Sequence, residues 1–171
     1  MLYKPEKEKI TSENPLVLNR LKNLREQQPY SMEPSGLVGG VVVVNDAAAT
    51  NLELLALTLS AFEEPVVWIL EAGENHADFS QINDIIKTKV KTVIAMGTYS
   101  DRVHDALWPV LKYFISANSW EEAVDMGLMA AKSNDTLLFS PGCRANEPFK
   151  NFRERGAYFN QLIDIKRNTK T

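Results

Sequence analysis

The sequence predicts an α/β fold: a Rossmann-like, mostly parallel sheet flanked by helices, in a single domain with an N-terminal arm. Three observations point there. Short apolar, β-branched runs recur from Gly36 onward, helical patterns fill the intervals between them, and each run is nearly continuous in hydrophobicity. Strands buried on both faces of a parallel sheet read this way, and strict strand–helix alternation implies a doubly wound arrangement. A length of 171 residues is about one domain's worth.

The arm covers residues 1–35 and the domain residues 36–171. The arm holds Pro5, Pro15, Pro29 and Pro34, half of the chain's 8 prolines, among interleaved lysines, arginines and glutamates. One short helix is expected in it, about Pro15 to Gln28, striped by Leu16, Leu18, Leu21 and Leu24. A helix of that length is marginal alone and is expected to pack on the domain.

Strands are expected at Gly40–Asn45, Val66–Leu70, Thr92–Met96, Lys112–Ser116 and Thr136–Ser140. The helices between them are expected at Asn51–Glu63, Asp78–Lys87, Asp101–Trp108 and Trp120–Lys132. Thr50-Asn-Leu-Glu53 and Ser119-Trp-Glu-Glu122 read as capping boxes, with Thr50 and Ser119 as N-caps. A last helix, Glu147–Arg167, carries Phe149, Phe152 and Phe159 toward the core. Its basic residues, among them Lys150, Arg153, Arg155, Lys166, Arg167 and Lys170, read as a solvated face.

Composition narrows the function. Lys+Arg number 19 against 22 Asp+Glu, a formal net charge of −3. That balance offers no bulk attraction to nucleic acid or to a membrane surface. The apolar runs are far shorter than the roughly 20 residues of a spanning helix, and no apolar segment follows the first basic residues as in a secretory signal. The single cysteine, Cys143, excludes an intrachain disulfide and fits a reducing, cytoplasmic setting. No phosphate-loop motif, nucleophile elbow or metal-ligand spacing is present. Gly36, Gly39 and Gly40 precede the first expected strand, whereas a dinucleotide fingerprint needs its glycines after one. No catalytic residue and no metal ligand is assigned.

In such a sheet ligands sit outside the carboxyl ends of the strands. Three loops there stand out: 45–51 (Asn-Asp-Ala-Ala-Ala-Thr-Asn), 72–80 (Ala-Gly-Glu-Asn-His-Ala-Asp-Phe-Ser), and 140–156, which opens Ser-Pro-Gly-Cys and ends Phe-Lys-Asn-Phe-Arg-Glu-Arg-Gly. In this order they resemble the C-terminal domain of the Mur ligases, nearest the branch that adds D-glutamate in peptidoglycan synthesis. The resemblance covers roughly Gly39 to Ile165, and its first and third loops are the specific ones.

The resemblance implies a domain that binds the incoming amino acid and closes over ATP held elsewhere. It implies no cofactor bound by this chain alone, and ATP with Mg only as part of a complete ligase. By the same resemblance Asp46 would reach the nucleotide ribose, while Thr50, Asn75, Arg144, Ala145 and Phe152 would surround the amino acid. The departures are at lysine and serine positions. The first loop of the family reads Asn-Asp-Ser-Lys-Ala-Thr-Asn, and Ala47 and Ala48 stand where its Ser and Lys would. Asn75 stands where a second lysine would, and Ala145 where a serine donor would. At about 1.5–3 kcal/mol per charge-assisted hydrogen bond, losing two lysines and a hydroxyl costs about 4 kcal/mol or more, a thousandfold in affinity. Glu71 and Glu74, in the loop that would see an anion, are expected to repel one.

Three readings stay open. The chain is a degenerate relative, incompetent in ligation alone, that binds a small anionic ligand (a muropeptide among them) or a protein partner. It is a component of a working ATP-dependent ligase. Or it is an assembly module whose arm docks on a second copy or another protein. Asp46 could equally brace the first strand–helix turn, Thr50 could serve only as a cap, and Arg144 could be solvated or could replace the missing lysine charge.

Overall fold

The computed structural model describes Asn23 and residues 25–169. Most of the expected helix at Pro15–Gln28, and Lys170, therefore lie outside the described residues. The strands are β1 (Glu33–Val38), β2 (Val41–Asn45), β3 (Val66–Glu71), β4 (Val90–Met96), β5 (Phe114–Ala117) and β6 (Thr136–Phe139). The α-helices are α1 (Leu52–Ala61), α2 (Asn83–Lys89), α3 (Ser100–Leu107), α4 (Trp120–Ala130) and α5 (Phe152–Thr169), with a 3₁₀ turn over Phe79–Ile82. The sheet runs β1-β2-β6-β3-β4-β5, parallel throughout except for β1 against β2.

The strands expected from Gly40 onward are present with small shifts at their ends. β1 is not among those expected, and it crosses residue 35. Gly39 and Gly40 join it to β2, both with positive φ (57° and 82°), the geometry of a tight hairpin turn that glycines adopt at little cost. A register shift between Pro34 and Gly36 breaks its alternation.

Continuous hydrophobicity reflects burial on both faces: every residue of β3 is buried. Alternate residues serve opposite cores. Trp68, Leu70, Val93, Ala95 and Leu138 pack under α1, the 3₁₀ turn, α2 and α3. Val67, Ile69, Ile94, Leu137 and Phe139 pack under α4 and α5. Among the described residues no helix is long and apolar enough to cross a membrane.

Two expected details move by one residue or more. Asn51, not Thr50, caps α1: its side chain accepts from the Leu54 N–H at 2.9 Å. Asn51 holds the extended backbone of an N-cap (φ −149°, ψ 170°), while the Thr50 N–H is turned back onto the Ala48 carbonyl at 2.9 Å. Ser119 does cap α4, but Glu122 reaches back to the Asn118 N–H at 2.6 Å. The last helix starts at Phe152 rather than Glu147, because Asn151 accepts from the N–H groups of Arg153 and Glu154 and so sets its first turn.

Candidate functional site

β6 enters the sheet between β2 and β3, so the first, second and third loops leave three adjacent strands. The loops singled out by sequence thus converge at one edge of the sheet, where a doubly wound fold places its ligands.

The first loop is closed over a carboxylate. Asp46 is fully buried. Its Oδ1 pairs with the Arg25 guanidinium and accepts from the Met32 N–H at 3.0 Å. Its Oδ2 accepts from the Ser140 hydroxyl at 2.7 Å and lies 2.6 Å from the Thr58 hydroxyl. Burial pushes the carboxyl above its ordinary 3.8, and the opposing pull of Arg25 and the two hydroxyls does not cancel that. Folded Asp46 therefore holds its proton more tightly than the unfolded chain does, and the stability it contributes falls as pH rises through the raised pKa. We expect wild type to gain stability relative to Asp46→Asn, which does not titrate, as pH falls toward 3.8. Urea midpoints of both proteins from pH 7 downward check this; a gap moving the other way contradicts it.

Ala47, Ala48 and Ala49 are buried, and the Ala48 N–H donates to the Tyr30 carbonyl at 3.0 Å. Asn45 braces the loop from below, donating to the Gly156 carbonyl at 2.9 Å and accepting from the Ala47 N–H at 3.1 Å. Thr50 is half-buried at the loop's exit.

The second and third loops are stitched together. The Asn146 Oδ1 accepts from the Asn75 N–H at 2.8 Å, and the Asn75 Nδ2 donates to the Ala145 carbonyl at 3.1 Å. Of the residues expected at the site, Asn75 and Ala145 are thus in contact. Arg144 is exposed, and no ion pair engages it among the described residues. Phe152, half-buried at the start of α5, has the Arg153 guanidinium 5.1 Å from its ring centroid.

The residue that links the first and third loops to the end of β3, where the second loop begins, is Arg155. It is fully buried, not part of a solvated face as its charge suggested. Its Nη1 donates to Glu71 at 2.7 Å, and its Nη2 lies within hydrogen-bond reach of the Ala47 carbonyl (3.1 Å) and the Cys143 carbonyl (2.9 Å). Glu71 correspondingly is buried against Arg155 and does not confront a ligand as a free charge, while Glu74 is exposed. Burial raises the Glu71 carboxyl, and Arg155 only partly offsets this. Burial also lifts the Cys143 thiol to about 11, which leaves it a packing residue at neutral pH.

Beside this seam a cleft of about 230 Å³ opens at the ends of β3 and β4, lined by Gly73, Met96, Thr98, Asn118, Trp120 and Asn146 among others. No cationic side chain lines it. Among the described residues no cluster of His, Cys, Asp and Glu could hold a metal ion.

Sequence comparison places this architecture. The chain is 35% identical over 135 residues to a UDP-N-acetylmuramoylalanine–D-glutamate ligase from Cytophaga hutchinsonii, matching 79% of this chain and 30% of the relative. It is 33% identical over 147 residues to the enzyme of the same name from Pelodictyon phaeoclathratiforme, 86% of this chain and 31% of that one.

The chain is homologous to the Mur ligase C-terminal domain.

Solved structures share the fold. A domain of a UDP-N-acetylmuramate:L-alanyl-gamma-D-glutamyl-diaminopimelate ligase from Haemophilus ducreyi superposes with a TM-score of 0.51 at 17% identity, over 82% of this chain and 99% of that one. The UDP-N-acetylmuramate–alanine ligase of Thermotoga maritima gives 0.53 at 14% identity, over 80% of this chain and 30% of that one. No family model matches the sequence. The chain spans about a third of the length of the D-glutamate ligases it matches. The Mur-type domain thus has its three strand-end loops in place, tied by Arg155 and by the Asn75–Asn146 seam.

Proposed function

We propose that this Mur-type domain binds a small anionic ligand at the seam of its second and third loops and does not carry out ligation by its own residues. Arg144 carries this reading. It is an exposed cation without an ion pair among the described residues, next in sequence to Ala145, whose carbonyl holds Asn75. A carboxylate or phosphate seated there gains a charge-assisted hydrogen bond, worth about 1.5–3 kcal/mol. The neighbouring cleft has no cation to offer one.

The loss of ligation is supported by the first two loops. Ala48 and Asn75 bring no charge to positions where, by resemblance, lysines stand. Ala48 is also buried, so a lysine placed there has to displace the residues that cover it.

Identity of up to 35% to D-glutamate ligases, and the third-loop ending Phe149–Gly156, favour a second reading, a component of an ATP-dependent ligase. A D-glutamate ligase lacking its own C-terminal domain, supplied in trans with ATP and Mg, separates the two. We expect no D-glutamate transfer on adding this chain, nor with Ala48→Lys and Asn75→Lys. Transfer that rises in proportion to added wild-type chain would overturn the first reading and establish the second.

A further inference from the structure

The function proposed above leaves unused the densest polar contact of the first loop. Residues 25–32 cross the carboxyl end of β2 and are fastened there. The Tyr30 carbonyl accepts from Ala48, the Met32 N–H donates to Asp46, and the Tyr30 ring lies against Gly156 so closely that a Cβ on that glycine would come within 2.6 Å of it. Tyr30 and Met32 hold φ of 58° and 49°, a left-handed conformation that bulky residues seldom adopt. Such conformations persist where surrounding contacts over-determine them. Here they flank Ser31, whose hydroxyl meets Arg25.

Each nitrogen of the Arg25 guanidinium has its own acceptor. Nε donates to the Ser31 Oγ at 3.0 Å, Nη1 to the Leu54 carbonyl at 3.1 Å, and Nη2 to the Asp46 Oδ1. Three acceptors of different kinds on three sides match a planar fork, which a compact ammonium cannot span. The carboxylate at the base is held in orientation by Met32, Thr58 and Ser140. Arg25 is buried in this place, although it belongs to a segment far from the loop in sequence.

We propose that the carboxyl end of β2 is a guanidinium-binding socket with Asp46 as its anionic base, and that Arg25 is its ligand supplied in cis. The socket recognises the guanidinium group rather than the chain that carries it. A partner presenting an arginine on an extended segment would compete with Arg25 for it.

Chemical replacement in the full chain tests this. Thermal unfolding of wild type, Arg25→Ala and the double variant Arg25→Ala with Asp46→Asn is followed against millimolar methylguanidinium chloride, with methylammonium chloride at equal ionic strength as control. Arg25→Ala should melt lower than wild type. Methylguanidinium should raise its midpoint saturably, by about 3–5 °C at ten times the dissociation constant. Wild type and the double variant should not rise, and methylammonium should do nothing. If Arg25→Ala does not fold unaided, the readout is refolding yield, which should recover with methylguanidinium and not with methylammonium. An Arg25→Ala protein that responds no more than the double variant, that responds equally to methylammonium, or that refolds with neither would overturn the proposal.

Discussion

Replacing Arg155 with Met should cost about 3–5 kcal/mol, because it strands a carboxylate inside the protein. Glu71 is 4% exposed and its charge is met by Arg155. The same change removes the donor shared by the Ala47 and Cys143 carbonyls, so the first and third loops lose one of their ties and keep those from Ser140 to Asp46 and from Asn45 to Gly156. Adding Glu71→Gln to Arg155→Met should recover part of the loss, since the buried site then holds no uncompensated charge. A second readout follows the loop itself. Cys143 is buried with a raised thiol, so it should react slowly with a thiol reagent in wild type and at least about tenfold faster in Arg155→Met, where its loop opens more often. Urea unfolding and labelling rates check both parts. A variant within 1 kcal/mol of wild type and labelled at the same rate would show that Arg155 does not hold the third loop in place.

Gly97→Ala should be the most damaging small substitution at the strand ends. Gly97 follows β4 with φ 113°, a region closed to residues bearing a Cβ. A Cβ there would stand 2.7 Å from the Ala72 carbonyl oxygen and 2.8 Å from its carbon, and backbone cannot move aside as a side-chain tip can. That carbonyl also accepts from the Tyr99 N–H at 2.8 Å, so pushing it away breaks the bond that ties the loop after β3 to the loop after β4. Backbone strain and overlap together should cost about 2–5 kcal/mol. Gly97→Ala should also disturb the cleft beside the Asn75–Asn146 seam, which Gly97 helps to line. A calorimetric melt within 2 °C of wild type would contradict this.

The strands were legible because burial on both faces leaves a signal that is purely local: the run Val66–Leu70 can hardly be anything else at that length. β1 was not legible. Pro34, Ser35 and Gly36 interrupt its alternation, and a register shift sits at the same place. The hairpin glycines Gly39 and Gly40 between two apolar runs were its available signal, and they read as a turn only when a strand is sought on both sides.

At the site the three loops were legible from topology, since the ends of the strands follow once the strands are known. Their internal ties were not. Arg155 could have been found from its spacing: Arg155, Phe159, Leu162 and Ile163 share the buried stripe of α5, and a charge on an apolar stripe needs a buried partner. Counting charges along the tail hid it among solvated neighbours. Arg25 and Asp46 left no local trace, because 21 residues separate them and the pair exists only through the fold. Thr50 shows a different limit. Both Thr50 and Asn51 are good caps by residue type, and only the backbone angles decide between them.

The measurement that tests the central reading most directly is ligand binding by thermal shift, with wild type and Arg144→Ala run side by side against D-glutamate, other amino acids, phosphate, ADP, ATP with magnesium and a UDP-muramoyl peptide. At about 100 times its dissociation constant a ligand should stabilise wild type by about 2.7 kcal/mol, a rise of about 5–10 °C at this size. We expect at least one small carboxylate- or phosphate-bearing ligand to give that rise in wild type and to lose most of it in Arg144→Ala, while both proteins melt cooperatively at the same temperature without ligand. A rise that survives intact in Arg144→Ala, or no rise with any anion in a cooperatively melting wild type, would contradict the anion site at the seam of the second and third loops.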